Sequence, residues 1–163
     1  MMTANKPKKL TLTEIRKQDD LLNGQKTVYV LDNKYAINID KRFRKTKMDK
    51  YVAEYISIVQ EVQKAKQVST DDVLNIPYAA YGLAAKHFTD LPIEYKSLDG
   101  FIVVTRRLLD LGILEQLFSG NCEEGFDPSE VERLNKTTEA AATNVGQAMG
   151  ELAIREALNQ GDA

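Results

Sequence analysis

Between Thr27 and Ile39 apolar and polar positions alternate in two short runs, Val28-Tyr29-Val30 and Tyr35-Ala36-Ile37-Asn38-Ile39, which meet at Asp32-Asn33. A period of two is the strand signature, and Asp and Asn both tolerate the positive φ of a two-residue hairpin turn. Such a turn sets Val28 opposite Ile37 and Val30 opposite Tyr35. A one-residue slip would pair Val30 with Ile37 and Val28 with Ile39, and the apolar set would still stay together. A lone ribbon is marginal in water and needs a lid. The expected lid is the helical pattern that follows, Met48, Tyr51, Val52, Tyr55, Ile56, Val59 and Val62, with Thr46 as its N-cap, Asp49 three residues on, and Lys64 and Lys66 near its C-terminal end.

The period changes to 3.6 elsewhere. Leu10 to Leu22 reads as a short helix with Thr11 capping, Glu14 completing a capping box, Leu10 stapled onto Ile15 and Asn23-Gly24 ending it. Its apolar positions are few (Leu12, Ile15, Leu22), so it needs a surface to lie on. Ser69-Thr70-Asp71-Asp72 starts another helix, which Pro77 is expected to interrupt or restart. Tyr78 to Phe88 is Ala-rich, with small side chains that let a neighbouring helix come close. Ser97 caps a segment with the stripe Phe101, Val104, Leu108 and Leu111, the most buried-looking in the chain, which Gly112 ends or bends before a further turn or two over Ile113–Phe118.

Asp127-Pro128-Ser129-Glu130 is a strong helix start, and no breaker follows until Gly161. The stripe Val131, Leu134, Thr138, Ala141, Val145, Ala148, Leu152 repeats at about seven residues. At ~1.5 Å per residue the helix would reach about 45–50 Å, so part of it should project or pack on another chain. The fold class expected is mainly α with one N-terminal β-hairpin, an α+β arrangement in which a helical bundle packs on a two-stranded ribbon. Residues 1–9 are expected to be a disordered leader, 10–126 a helical domain with the hairpin at 27–40, and 127–160 a long C-terminal helix that projects or oligomerises.

Composition narrows the function classes. The chain has 163 residues, of which 43% are hydrophobic and 28% charged, as in an ordinary globular protein with a real core. One Cys, Cys122, excludes an internal disulfide, and with one His, His87, no zinc site of the usual nitrogen and sulfur ligands can be assembled. No apolar run approaches the ~18 residues of a membrane span. The start has no apolar segment of the secretory kind, so a cytoplasmic location is expected. No cofactor and no metal is expected.

Several groups invite a sharper reading. Lys41 to Lys50 holds six basic residues in ten. Lys41, Arg42, Arg44, Lys45 and Lys47, with Phe43 as a stacking aromatic, could meet nucleic acid. The same run could be a solvated loop and first turn, which is favoured, or could meet the acidic Glu123–Glu132 region of a neighbouring subunit. His87 would need an orienting carboxylate and a nucleophile to act as a base. Asp90 is near in sequence, but no suitable Ser or Cys is, so a contact with the helix dipole is preferred. The pairs Asp19-Asp20, Asp71-Asp72 and Glu123-Glu124 sit in no calcium loop, phosphate cradle or nucleophile elbow. Gly146-x-x-x-Gly150 signals either a close helical crossing or a mobile end. What remains is a helical face, Val131, Leu134, Ala141, Val145, Met149 and Leu152, of the kind that meets an apolar partner helix.

The order of these parts resembles a family. A polar leader, the ribbon Val28-Tyr29-Val30-Leu31-Asp32-Asn33-Lys34-Tyr35-Ala36-Ile37-Asn38-Ile39, a basic connector and an amphipathic helix are similar to tail assembly chaperones of long-tailed phages of Gram-positive hosts. Arg107-Leu108-Leu109-Asp110-Leu111-Gly112-Ile113-Leu114-Glu115-Gln116-Leu117-Phe118, followed by a capped helix, looks similar too. The resemblance covers residues 25–135. It implies a small helical protein that is not an enzyme, binds the long hydrophobic tape measure protein, keeps it soluble and helps recruit tail tube subunits. It also implies a homo-oligomer in the host cytoplasm. The alternatives are a nucleic-acid-binding accessory protein using the 41–50 segment, or a phage protein that binds a host defence protein.

Overall fold

A computed structural model describes residues 7–64, 67 and 69–160, with the side chains of 158–160 left aside. The expected ends at Lys66 and Gly161, and most of the 1–9 leader, therefore lie outside the described residues. Helix α1 (Leu12–Leu21) leads into strands β1 (Gln25–Val30) and β2 (Tyr35–Asp40), followed by α2 (Lys45–Lys64), α3 (Thr70–Phe88), α4 (Leu98–Asp110), α5 (Ile113–Leu117) and α6 (Pro128–Gln160). The chain is mostly helical with one antiparallel hairpin and a long C-terminal helix, as its periodicities require.

The hairpin takes the register set by a turn at Asp32-Asn33, with Val28 opposite Ile37 and Val30 opposite Tyr35. Asp32 and Asn33 sit at φ 56° and 61°, Leu31 at 52°, and the Lys34 N–H donates to the Leu31 carbonyl at 3.2 Å. Strand β1 begins two residues earlier than the alternation shows, because Gln25 and Lys26 pair with Asp40 and Ile39. Val28, Val30, Ile37 and Ile39 all point into the core. The outer edge of β2 is closed by Asp90: the Asn38 N–H donates to its carboxylate at 2.9 Å, and the Asp90 N–H returns to the Asn38 carbonyl at 3.0 Å. On β1, the Gln116 side-chain amide donates to the Tyr29 carbonyl at 2.7 Å.

The lid of the ribbon is aromatic. Phe43, Phe88 and Phe126 are almost fully buried, and Phe118 continues the series edge-on to Phe126. Phe43 stacks on Phe88 at 3.8 Å between centroids and meets Phe126 edge-on at 5.2 Å. Phe43 is thus core, and the reading of it as an exposed stacking aromatic is wrong. Two long-range partners, far along the chain, enclose a residue whose sequence neighbours are all polar.

Three local expectations also change. Helix α2 starts at Lys45, so Thr46 lies inside the first turn instead of capping it. Pro77 does not interrupt α3, which Ser69 and Asp72 initiate with a full capping box. Pro77 is exposed, and so is Val73, four residues back; the carbonyl that loses its donor there belongs to a residue at the water-facing surface. Helix α4 is not the most buried element: Phe101, Ile102 and Thr105 are buried, but Val103 and Leu111 are about half exposed. It contacts α3 along one side only. That side is tight, since a Cβ added at Gly82 would stand 2.2 Å from Thr105 Oγ1 and 2.9 Å from the Phe101 ring.

The other helix ends match the sequence. Ser97 Oγ accepts from the Gly100 N–H at 3.1 Å, and Gly112 ends α4 at φ +71°. Asp127 accepts from the Ser129 N–H at 2.8 Å ahead of α6. At α1, Thr11 accepts from the Glu14 N–H at 3.3 Å, but Leu10 and Ile15 both remain exposed and α1 buries no residue. Arg44 holds its C-terminal end through Asp19 and Asn23.

Candidate functional site

Helix α6 divides into two halves. Near its start Leu134 is 2% exposed and Val131 packs against the core. Glu130, itself buried, accepts from the Phe43 N–H at 2.8 Å and pairs with Arg133, whose guanidinium also donates to the Phe43 carbonyl. These bonds fasten α6 to the connector before α2. Farther along, Ala141 and Val145 are half-buried, while Met149 and Leu152 are 48% and 57% exposed. The six residues of the expected face therefore do not form one exposed surface. Val131 and Leu134 serve the fold, Ala141 and Val145 lie at its margin, and Met149 and Leu152 face solvent. Ile154, also exposed, lies on another side of the helix.

Between α6 and α2 lies a groove. Tyr55, Ile56, Val59, Gln60 and Gln63 of α2 face Ala142, Val145, Gly146 and Met149 of α6, and the lining carries no charge. Helix α2 ends at Lys64, so from about Gly150 onward α6 continues without it. The width of the α2 stripe explains the groove. Met48, Tyr51, Val52, Ile58 and Val62 are buried, whereas Tyr55 and Ile56 are only partly covered. An apolar stripe wider than its own domain covers leaves a margin that another chain can occupy.

Four of the six basic residues between Lys41 and Lys50 stand beside carboxylates of the same chain. Arg44 pairs with Asp19, Lys45 with Asp49, and Lys47 with the buried Asp40 at 2.6 Å; Arg42 Nε stands 3.9 Å from Glu130. Lys41 is exposed. Glu130, which lies in the acidic region considered as a neighbouring subunit's contribution, thus stands beside Arg42 of its own chain.

His87 does have a carboxylate beside it, and it comes from α2. Glu54 accepts from Lys86 at 2.6 Å, meets His87 Nε2 at 2.7 Å and takes the hydroxyl of Tyr95. Lys86 also lies over the Tyr95 ring, 4.8 Å from its centroid. Burial pushes the Glu54 carboxyl up, but the three hydrogen bonds and the Lys86 charge outweigh it and hold the group below its ordinary value. Burial and Glu54 raise the Tyr95 phenol. These contacts tie α2, α3 and the segment before α4 together. Sequence reading reached only Asp90, because Glu54 lies one helix away.

Among the described residues no group of three or more His, Cys, Asp or Glu side chains could hold a metal ion, and no helix is long and apolar enough to cross a membrane. Cys122 is exposed and unpaired in a disulfide.

Comparison with known proteins gives one finding. Residues 12–160 match the sequence model of a family described as YomO, a span that takes in everything from α1 to the end of α6. No curated protein and no solved structure matches.

Proposed function

We propose that this chain, which belongs to the YomO family, is a non-enzymatic tail assembly chaperone or adaptor. It binds the hydrophobic tape measure protein and tail components through helical faces while the virion is built. Membership of the family is consistent with a phage or prophage origin. The observation that carries the finer reading is the uncharged groove between α2 and α6, continued by the exposed Met149 and Leu152. A groove of this kind suits an amphipathic helix read at spacings of three and four residues. Packing on α3, with Tyr51 against Phe88, holds α2 in place, so the groove is part of the fold and little order is lost on binding.

The work is binding, in the host cytoplasm, by an oligomeric protein. A nucleic-acid reading has less to rest on, since four of the five basic residues stand beside carboxylates of their own chain. Salt-dependent retention of DNA, lost on replacing Lys41, Arg42, Arg44 and Lys45 by Gln, would favour that alternative instead. The direct test is co-expression with the tape measure protein of the same phage. The chaperone reading requires that the two co-purify and that the variant Met149→Asp/Leu152→Asp fails to do so.

A further inference from the structure

We infer that the outer edge of β1 takes up an extended, lysine- or arginine-bearing segment of another protein as a third strand of the ribbon. This edge shares no lining residue with the α2–α6 groove, so it is a second contact beyond the one proposed above.

The two edges of the ribbon are finished differently. Opposed residues in an antiparallel ladder alternate between pairs that exchange hydrogen bonds and pairs that turn their N–H and C=O groups away from each other. Asn38 commits both of its backbone groups to Asp90, so its partner Thr27 turns both of its own outward from β1. Tyr29, two residues on, does the same, and its carbonyl accepts from Gln116 at 2.7 Å. Asp90 thus closes β2. On β1 the Thr27 N–H, the Thr27 carbonyl and the Tyr29 N–H have no hydrogen-bond partner among the described residues. A row of such groups is what an added strand pairs with.

These groups open into a groove of about 430 Å³, with Thr27 to Tyr29 on one side, Gln116, Glu123 and Glu124 on the other, and Asp32 at the turn. The loop across from β1 is fastened to it: Lys26 donates to the Cys122 carbonyl, and the Gln116 amide also reaches the Glu124 carbonyl at 3.1 Å.

Charge selects the occupant. Asp32, Glu123 and Glu124 line the groove, no Lys or Arg does, and none of the three carboxylates has an ion pair among the described residues. A neutral strand would leave all three without a counter-ion. A strand with Lys or Arg at alternate positions carries its cations on one face and supplies them. The Tyr29 ring, 59% exposed, offers an apolar surface to a lysine stem. Rim charges of this kind choose the partner more than they add affinity. They also keep β1 from pairing with β1 of a second copy, whose edge carries the same sign.

The test uses the isotope-labelled full chain and the peptide Lys-Val-Lys-Val-Lys as probe. Adding the peptide at low salt should shift the Thr27 and Tyr29 amide signals in the nuclear magnetic resonance spectrum and slow their exchange with solvent. By fluorescence anisotropy, Asp32→Asn/Glu123→Gln/Glu124→Gln should bind it at least about tenfold more weakly. All three side chains are exposed, so the thermal midpoint should not move. The peptide N-methylated at every backbone amide keeps its charge, has no ladder N–H, and should also bind at least about tenfold more weakly. Unmoved Thr27 and Tyr29 signals, or equal affinity for the methylated peptide or the triple variant, would overturn the strand addition. So would Thr27 and Tyr29 amides already protected in the chain alone, because the edge would then be taken by the chain's own kind. Met149→Asp/Leu152→Asp should bind the peptide as the wild type does, which keeps failure here distinct from failure of the chaperone reading.

Discussion

The ring of Phe43 lies flat on that of Phe88, 3.8 Å away and 10° from parallel, and this contact joins the end of the hairpin to the end of α3. Both rings are at most 1% exposed. Truncating a fully buried aromatic costs about 3–5 kcal/mol. Phe43→Ala should therefore lower stability by that amount in urea unfolding, whereas Phe43→Leu should lose less. An unchanged midpoint for Phe43→Ala would mean that the connector is not part of the core.

Gly82 and Gly125 test packing in two ways. A Cβ at Gly82 meets side chains of Thr105 and Phe101, but at Gly125 it meets the carbonyl oxygens of Leu117 and Gln116 at 2.5 and 2.6 Å. Both alanine variants should lose about 1–3 kcal/mol. Thr105→Ala should recover part of the loss in Gly82→Ala, since it removes the hydroxyl that stands in the way, itself buried without a hydrogen-bond partner among the described residues. Nothing comparable can relieve Gly125→Ala, whose neighbours are backbone. A double-mutant cycle showing additive effects at 82 and 105 would contradict the close α3–α4 approach.

Glu54 gives a pH dependence with a definite sign. Its carboxyl is held below the ordinary value in the folded chain, so its contribution is present above the unfolded-state value near 4.5 and lost as the pH falls through the folded one. Wild type and Glu54→Gln should differ most in thermal midpoint near neutral pH and converge in acid. Parallel curves down to about pH 3 would show that the Lys86, His87 and Tyr95 contacts add nothing through charge.

Val145, half-buried, and Leu152, exposed, should behave oppositely to the core. Val145→Asp and Leu152→Asp should reduce self-association on sizing chromatography. At Leu152, which is 57% exposed, the change in unfolding free energy should stay within about 0.5 kcal/mol. An unchanged elution volume for both would count against this surface.

Much of this architecture was legible because its signals are local. Asp32-Asn33 fixes the hairpin register, Asp127-Pro128 fixes where α6 starts, and Ser69 and Ser97 mark two other helix starts. The larger failures are long-range. Phe43 sits in a basic run and looks exposed, yet Phe88 and Phe126 bury it from 45 and 83 positions away along the chain. Glu54 reads as one more charge on α2 until α3 brings His87 against it. The stripe on α6 was visible as a whole, but its division between Leu134 inside and Leu152 outside depends on where α2 ends. Pro77 misled because the exposed side of a helix tolerates a lost bond that its interior does not.

The central claim, that this chain works by offering apolar helical margins to another chain, is best tested by the soluble yield of the tape measure protein on co-expression. With the wild-type chain the tape measure protein should stay in the supernatant and elute together with it, and with Met149→Asp/Leu152→Asp it should pellet. A tape measure protein equally soluble with both, or insoluble with the wild type, would contradict the account.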